Sequence, residues 1–158
     1  MGVDMNFFVK IKKDDKYIDL PLYNREGEPV SITYCGWALF DEFRMVFRAT
    51  SFEEMKEYVN HYYNKDENKE CEDDDYAGIA AYEMSLTYLM YLVEKAKVDR
   101  RNEPVSFSSE EEEEDDEDRI DMNRFYTEIV NSVNVMLNLA GEDYIHPDNV
   151  KIVMLATY

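Results

Sequence analysis

Nine carboxylates stand in unbroken succession: Glu110, Glu111, Glu112, Glu113, Glu114, Asp115, Asp116, Glu117 and Asp118. A packed core cannot hold them, because each buried charge would need a partner. The run belongs in water or against a basic surface. A second acidic stretch, Asp66 to Asp75, has seven acids and one lysine and ends on Asp73, Asp74 and Asp75. The chemistry these residues offer is electrostatic contact. An extended chain advances about 3.3–3.6 Å per residue, and phosphates along one DNA strand lie about 3.4 Å apart. Nine extended acids therefore resemble a short strand of nucleic acid in linear charge.

Other reactive residue types are sparse. Asp66, Asn68 and Glu70 fall at the first, third and fifth positions of an EF-hand loop. That motif then fails, with Cys71 where its glycine belongs and Ala77 where its bidentate glutamate belongs. Only weak, non-selective divalent binding is left to such carboxylates, and no metal site is expected. His61 and His146, the only histidines, lie far apart without metal-ligand spacing. Cys35 and Cys71 do not make a disulfide framework, so reduced thiols and a cytoplasmic setting are expected. Cys35 has no neighbour in sequence that would activate it as a nucleophile. There is no phosphate-cradling glycine loop, no GxSxG, no HExxH and no CxxC. No catalytic residue and no cofactor is expected.

The chain has 158 residues and a formal net charge of −19. Residues 66–118 alone carry −15, and the flanking 1–65 and 119–158 carry −2 each. The pattern is a nearly neutral body bearing two acidic segments. Direct binding to nucleic acid or to an anionic membrane is disfavoured by repulsion. A basic protein surface is the complement, with attraction speeding encounter. No stretch approaches the roughly 20 apolar residues of a membrane span.

The elements that must carry these segments read as follows. Phe7, Val9 and Ile11 alternate with polar neighbours, a turn spans 13–16, and Ile18, Leu20 and Leu22 alternate again, with Pro21 hinting at an edge strand. Val30, Ile32 and Tyr34 predict a third strand. Residues 37–49 fit helix and strand almost equally, and the alternation of Phe43, Met45, Phe47 and Ala49 favours a strand over 43–49. Ser51 and Glu54 form a capping box opening a helix over 52–64. An acidic loop covers 65–75. Ile79, Tyr82, Leu86, Leu89 and Val93, spaced 3, 4, 3, 4, predict a long central helix over 76–98, with Asp73 to Asp75 favouring its N-terminus. A polar linker follows over 99–118. A helix over 119–140 ends at Gly141, and 150–158 closes the chain as a strand beside the N-terminal ones. Tyr62, Tyr63, Tyr76, Tyr82, Tyr88 and Tyr91 gather around the acidic loop and central helix, as packing or as a contact surface.

These elements predict one α+β domain over 1–158, a small, mainly antiparallel sheet with one face packed on about three helices. The charge pattern predicts a non-enzymatic acidic binding or inhibitor protein, of the phage nucleic-acid-mimic or toxin-immunity kind. It would cover the basic surface of a nucleic-acid-binding protein or nuclease. The expected contact residues are Glu110 to Asp118 with Asp73, Asp74 and Asp75. The alternative is a virion or scaffold subunit, compatible with a homo-oligomer, in which the acids only confer solubility.

Overall fold

A computed structural model describes residues 2–63, 72–102 and 120–158, the side chains of 100–102 excepted. The alternation of Val3, Met5, Phe7, Val9 and Ile11 forms β1 (Asp4–Lys13), with those five side chains buried on one face. A two-residue turn follows. Asp14 and Asp15 both have positive φ (51° and 65°), the backbone of a type I′ hairpin. It returns the chain as β2 (Lys16–Asp19), pairing Lys10 with Asp19 across the strands. β3 (Ser31–Cys35) pairs with the first half of the same edge of β1.

At Gly36 the backbone takes φ 118°, and α1 (Trp37–Val46) begins. This corrects the strand expected over 43–49. Leu39, Phe40 and Phe43 share the helix's buried face, Phe43 stacks on Phe47, and only Arg48–Ala49 is a strand, β4. Trp37, which spoils the polar stripe of the helix wheel, rests its ring against Phe40 and Tyr158. α2 (Phe52–Tyr62) starts as expected, with the Ser51 hydroxyl accepting from the Glu54 N–H at 3.1 Å.

The central helix expected over 76–98 is also corrected. Its first part is a strand, β5 (Ile79–Ser85), and α3 (Leu86–Asn102) follows directly, its first turn capped by Ser85 Oγ, which accepts from Tyr88 N–H at 3.1 Å. Strand and helix look alike here because β5 is covered on both faces, so its apolar residues do not alternate cleanly with polar ones. α4 (Met122–Leu139) buries Tyr126, Ile129, Val133, Met136 and Leu137. Gly141 (φ 74°) ends it in a Schellman motif, with Gly141 N–H on Asn138 O and Glu142 N–H on Leu137 O. β6 (Val150–Thr157) closes the fold between β1 and β5.

The fold is α+β, with six strands in the order β2-β1-β6-β5-β4 and β3 beside β2 on the outer edge of β1. Every described pairing is antiparallel. Helices cover both faces rather than one. Met5, Phe7, Met84, Ile152 and Met154 face α1, α3 and α4 in the larger core. Phe8, Ala81, Val153 and Leu155 face α2 in a smaller one. No described helix is long and apolar enough to cross a membrane.

Candidate functional site

Residues Glu110 to Asp118, and the EF-hand-like positions Asp66, Asn68 and Glu70, lie outside the described residues. Asp73, Asp74 and Asp75 form with Tyr76 a single 3₁₀ turn. Glu72 and Asp75 cap each other there, side chain to backbone in both directions. Tyr76 is the anchor. Its ring is buried against α2, and its hydroxyl donates to Asn60 Oδ1 at 2.8 Å. The three aspartates are thereby held outward, all exposed. Lys56 lies 3.7 Å from Asp73 and is shared with Glu53. No other described cation is paired with the turn. Since β5 rather than a long helix follows, these carboxylates do not serve a helix N-terminus at Tyr76; Asp75 serves the turn's own cap, and no capping bond is described for Asp73 or Asp74.

The α2 face of the sheet carries a strip of paired charges that sequence inspection does not reveal. Asp19 accepts from Tyr62 Oη at 2.6 Å, contacts His61 Nε2, and sits 3.2 Å from Lys10 Nζ. Burial pushes the Asp19 carboxyl up, but the hydrogen bonds of Tyr62 and His61 and the charge of Lys10 outweigh it and hold it below its ordinary value. Burial, reinforced by the Asp19 charge, pushes the Tyr62 hydroxyl strongly up. Further along, buried Glu83 accepts from Tyr58 Oη at 2.8 Å, contacts Arg48, and lies 3.7 Å from Lys151. Lys151 in turn sits over the Tyr17 ring at 4.1 Å. This strip joins α2 to strands far apart in sequence. Its charges answer one another, which is the requirement for charges near a core.

The histidines act locally. The only hydrogen bond described for His61 is to Asp19, and no described hydroxyl or thiol is bonded to its ring. His146 caps the short turn Pro147–Asn149, accepting from Asp148 N–H at 3.1 Å. Cys35 is exposed at the end of β3. Among the described residues no group of three or more His, Cys, Asp or Glu is arranged to hold a metal. Of the tyrosines expected to cluster, Tyr62 and Tyr76 are core residues, Tyr88 donates to Val46 O at 2.9 Å, and Tyr63 and Tyr91 are exposed.

Three of the clefts formed by the described residues lie at the rim of the sheet. One of about 480 Å³ lies between Arg48, Glu83, Tyr88 and Lys151. One of about 530 Å³ is lined by Asn6, Glu28, Tyr62 and Tyr63. The third, about 760 Å³, runs along β3 between Asp4, Trp37 and the start of α4. The Ser85 hydroxyl, which lines the first of these, is engaged as the cap of α3. No protein-family model, no curated protein and no solved structure matches the chain.

Proposed function

We propose that this chain is a non-enzymatic acidic binding protein that covers the basic, nucleic-acid-binding surface of a partner protein. One observation carries the reading: residues 66–118 hold −15 of the total −19. Asp73, Asp74 and Asp75 support it, since they are exposed on a turn fixed by Tyr76 and opposed, among the described residues, by a single shared lysine. The buried carboxylates of the sheet are paired, Asp19 with Lys10 and Glu83 with Arg48 and Lys151, so most of the acidity left for a partner belongs to the two segments. Such a concentration raises the encounter rate with a basic surface and repels acidic competitors. An inhibitor of this kind competes with nucleic acid by occupying the same cations.

The test is a variant lacking 110–118 with Asp73, Asp74 and Asp75 replaced by Asn. It should keep its thermal stability and lose retention on an immobilised basic protein at low salt. Equal, salt-insensitive retention of both forms rejects the reading. The second reading, an assembly subunit, is favoured by the uncharged outer strand β3. It predicts a stable homo-oligomer in sedimentation that survives loss of both acidic segments.

A further inference from the structure

We infer that the outer edge of β3 is a strand-addition site for an extended segment of alternating basic and apolar residues, contributed by the partner; the inference rests on the acidic-binding reading above. The backbone argument comes first. Gly36 N–H donates to Val3 O, which sets the phase of the antiparallel ladder. The hydrogen-bonded pairs are then 3–36, 5–34 and 7–32, and the N–H and C=O groups of Ser31, Thr33 and Cys35 point away from β1. Among the described residues no strand pairs with that edge. Exposed edges are usually guarded by charge, proline or shortness. β2 carries Lys16 and Asp19, and β4 has two residues, one of them Arg48. β3, Ser-Ile-Thr-Tyr-Cys, has five residues, no charge and no proline.

The groove of about 760 Å³ runs along this same edge, and its lining comes from both sides of the strand. On the α2 side stand Asp4 and Thr33; on the helix side stand Trp37, Ile120 and Phe125. Successive side chains of an added strand point to opposite faces. The residue opposite Cys35 would therefore point to the α2 side, in the row of Asp4 and its carboxylate, and its neighbours in sequence would meet an aromatic and aliphatic wall. Arg124, the cation in the groove, is bonded to Glu128 at 3.2 Å. The acidic run ends at Asp118, two residues before Ile120. Charge also decides between occupants. A second copy pairing β3 with β3 would bring together two chains of −19, whereas a basic strand meets attraction. Main-chain bonds would give the contact its affinity and the alternating pockets its specificity.

The test uses the full chain and the capped peptide Lys-Val-Lys-Val-Lys-Val-Lys. Its controls are the same peptide N-methylated at alternate residues, in either register, and a Glu-Val analogue. Amide chemical shifts and hydrogen exchange of 31–35 are followed by NMR. Support is binding that slows exchange at Ser31, Thr33 and Cys35 by roughly tenfold or more, weakens about tenfold or more on N-methylation in one register, and is absent for the Glu peptide. Binding without that protection, or indifferent to both N-methylations, overturns the β3 site while leaving the acidic-binding reading intact. Absence of binding by any cationic peptide at low salt overturns both. Protection at these amides in the free protein, with a dimer in sedimentation, overturns the inference in favour of a second copy.

Discussion

Replacing Asp19 by Ala should be the most costly single change to the charged strip. Asp19 sits on the short outer strand β2 and meets α2 through Tyr62 and His61 and β1 through Lys10. Truncation leaves the hydroxyl of buried Tyr62 without its acceptor, at about 1–3 kcal/mol. It also leaves the Lys10 ammonium, on a side chain only 13% exposed, without its counter-charge. Breaking a fully buried pair costs about 3–5 kcal/mol, and this pair, near the rim, should lose roughly half of that. The half-exposed His61 adds about 0–1 kcal/mol. The expected total is about 2.5–6.5 kcal/mol in urea unfolding, or roughly 5–26 °C in Tm for a chain of this size. Asp19→Asn keeps an acceptor for Tyr62 and should cost less. Lys10→Met combined with Asp19→Ala should recover part of the loss, since the stranded cation is gone. Because folding lowers the Asp19 carboxyl below its ordinary 3.8, its contribution is present above that pH and is lost as pH falls through the folded value. The gap between the parent and Asp19→Asn should therefore close in strongly acidic solution. A cost under about 1 kcal/mol at neutral pH, or a double variant no better than Asp19→Ala alone, refutes the reasoning.

Glu83→Ala should destabilise by about 2–3 kcal/mol, and a double-mutant cycle with Tyr58→Phe should show coupling near 1 kcal/mol, because the Tyr58 hydroxyl loses its acceptor. Gly78→Ala should cost about 2–4 kcal/mol in chemical denaturation. The residue has φ 75°, and an added Cβ would lie 2.4 Å from Tyr158 O, whose own N–H donates to Gly78 O. Phe7→Ala should cost about 3–5 kcal/mol, since the fully buried ring meets Tyr34, Phe43 and Phe47 edge-on.

Where local chemistry suffices, the sequence is readable. The alternation in β1, the apolar, β-prone run of β6, the capping box at Ser51 and Glu54, and Gly141 after α4 each express a rule that acts within a few residues. The two misread elements fail because a false period appears in each. Phe43 to Ala49 alternates only because Met45, 79% exposed on α1, adds an apolar side chain that buries little, and Ile79 to Ser85 carries apolar residues on both covered faces of β5, which fit a helical spacing. Ser85, whose hydroxyl caps α3, is the signal that could have divided the central segment. The site divides the same way. Exposure of Asp73 to Asp75 follows from their charge. The pairing of Asp19 with His61 and of Glu83 with Tyr58 depends on strand register and on α2 crossing the second face, which no local pattern encodes. The open edge of β3 is likewise a property of topology.

The central claim is that this acidity competes with nucleic acid for a basic surface. It is tested most directly by displacement of a labelled duplex from a basic DNA-binding protein, followed by fluorescence anisotropy across a salt series. The full chain should release the duplex at low salt. Removing 110–118 and neutralising Asp73, Asp74 and Asp75 should weaken release and flatten the slope of log affinity against log salt by roughly 3 or more. Failure of the full chain to release the duplex at low salt, or equal release by both forms with the same salt slope, contradicts it.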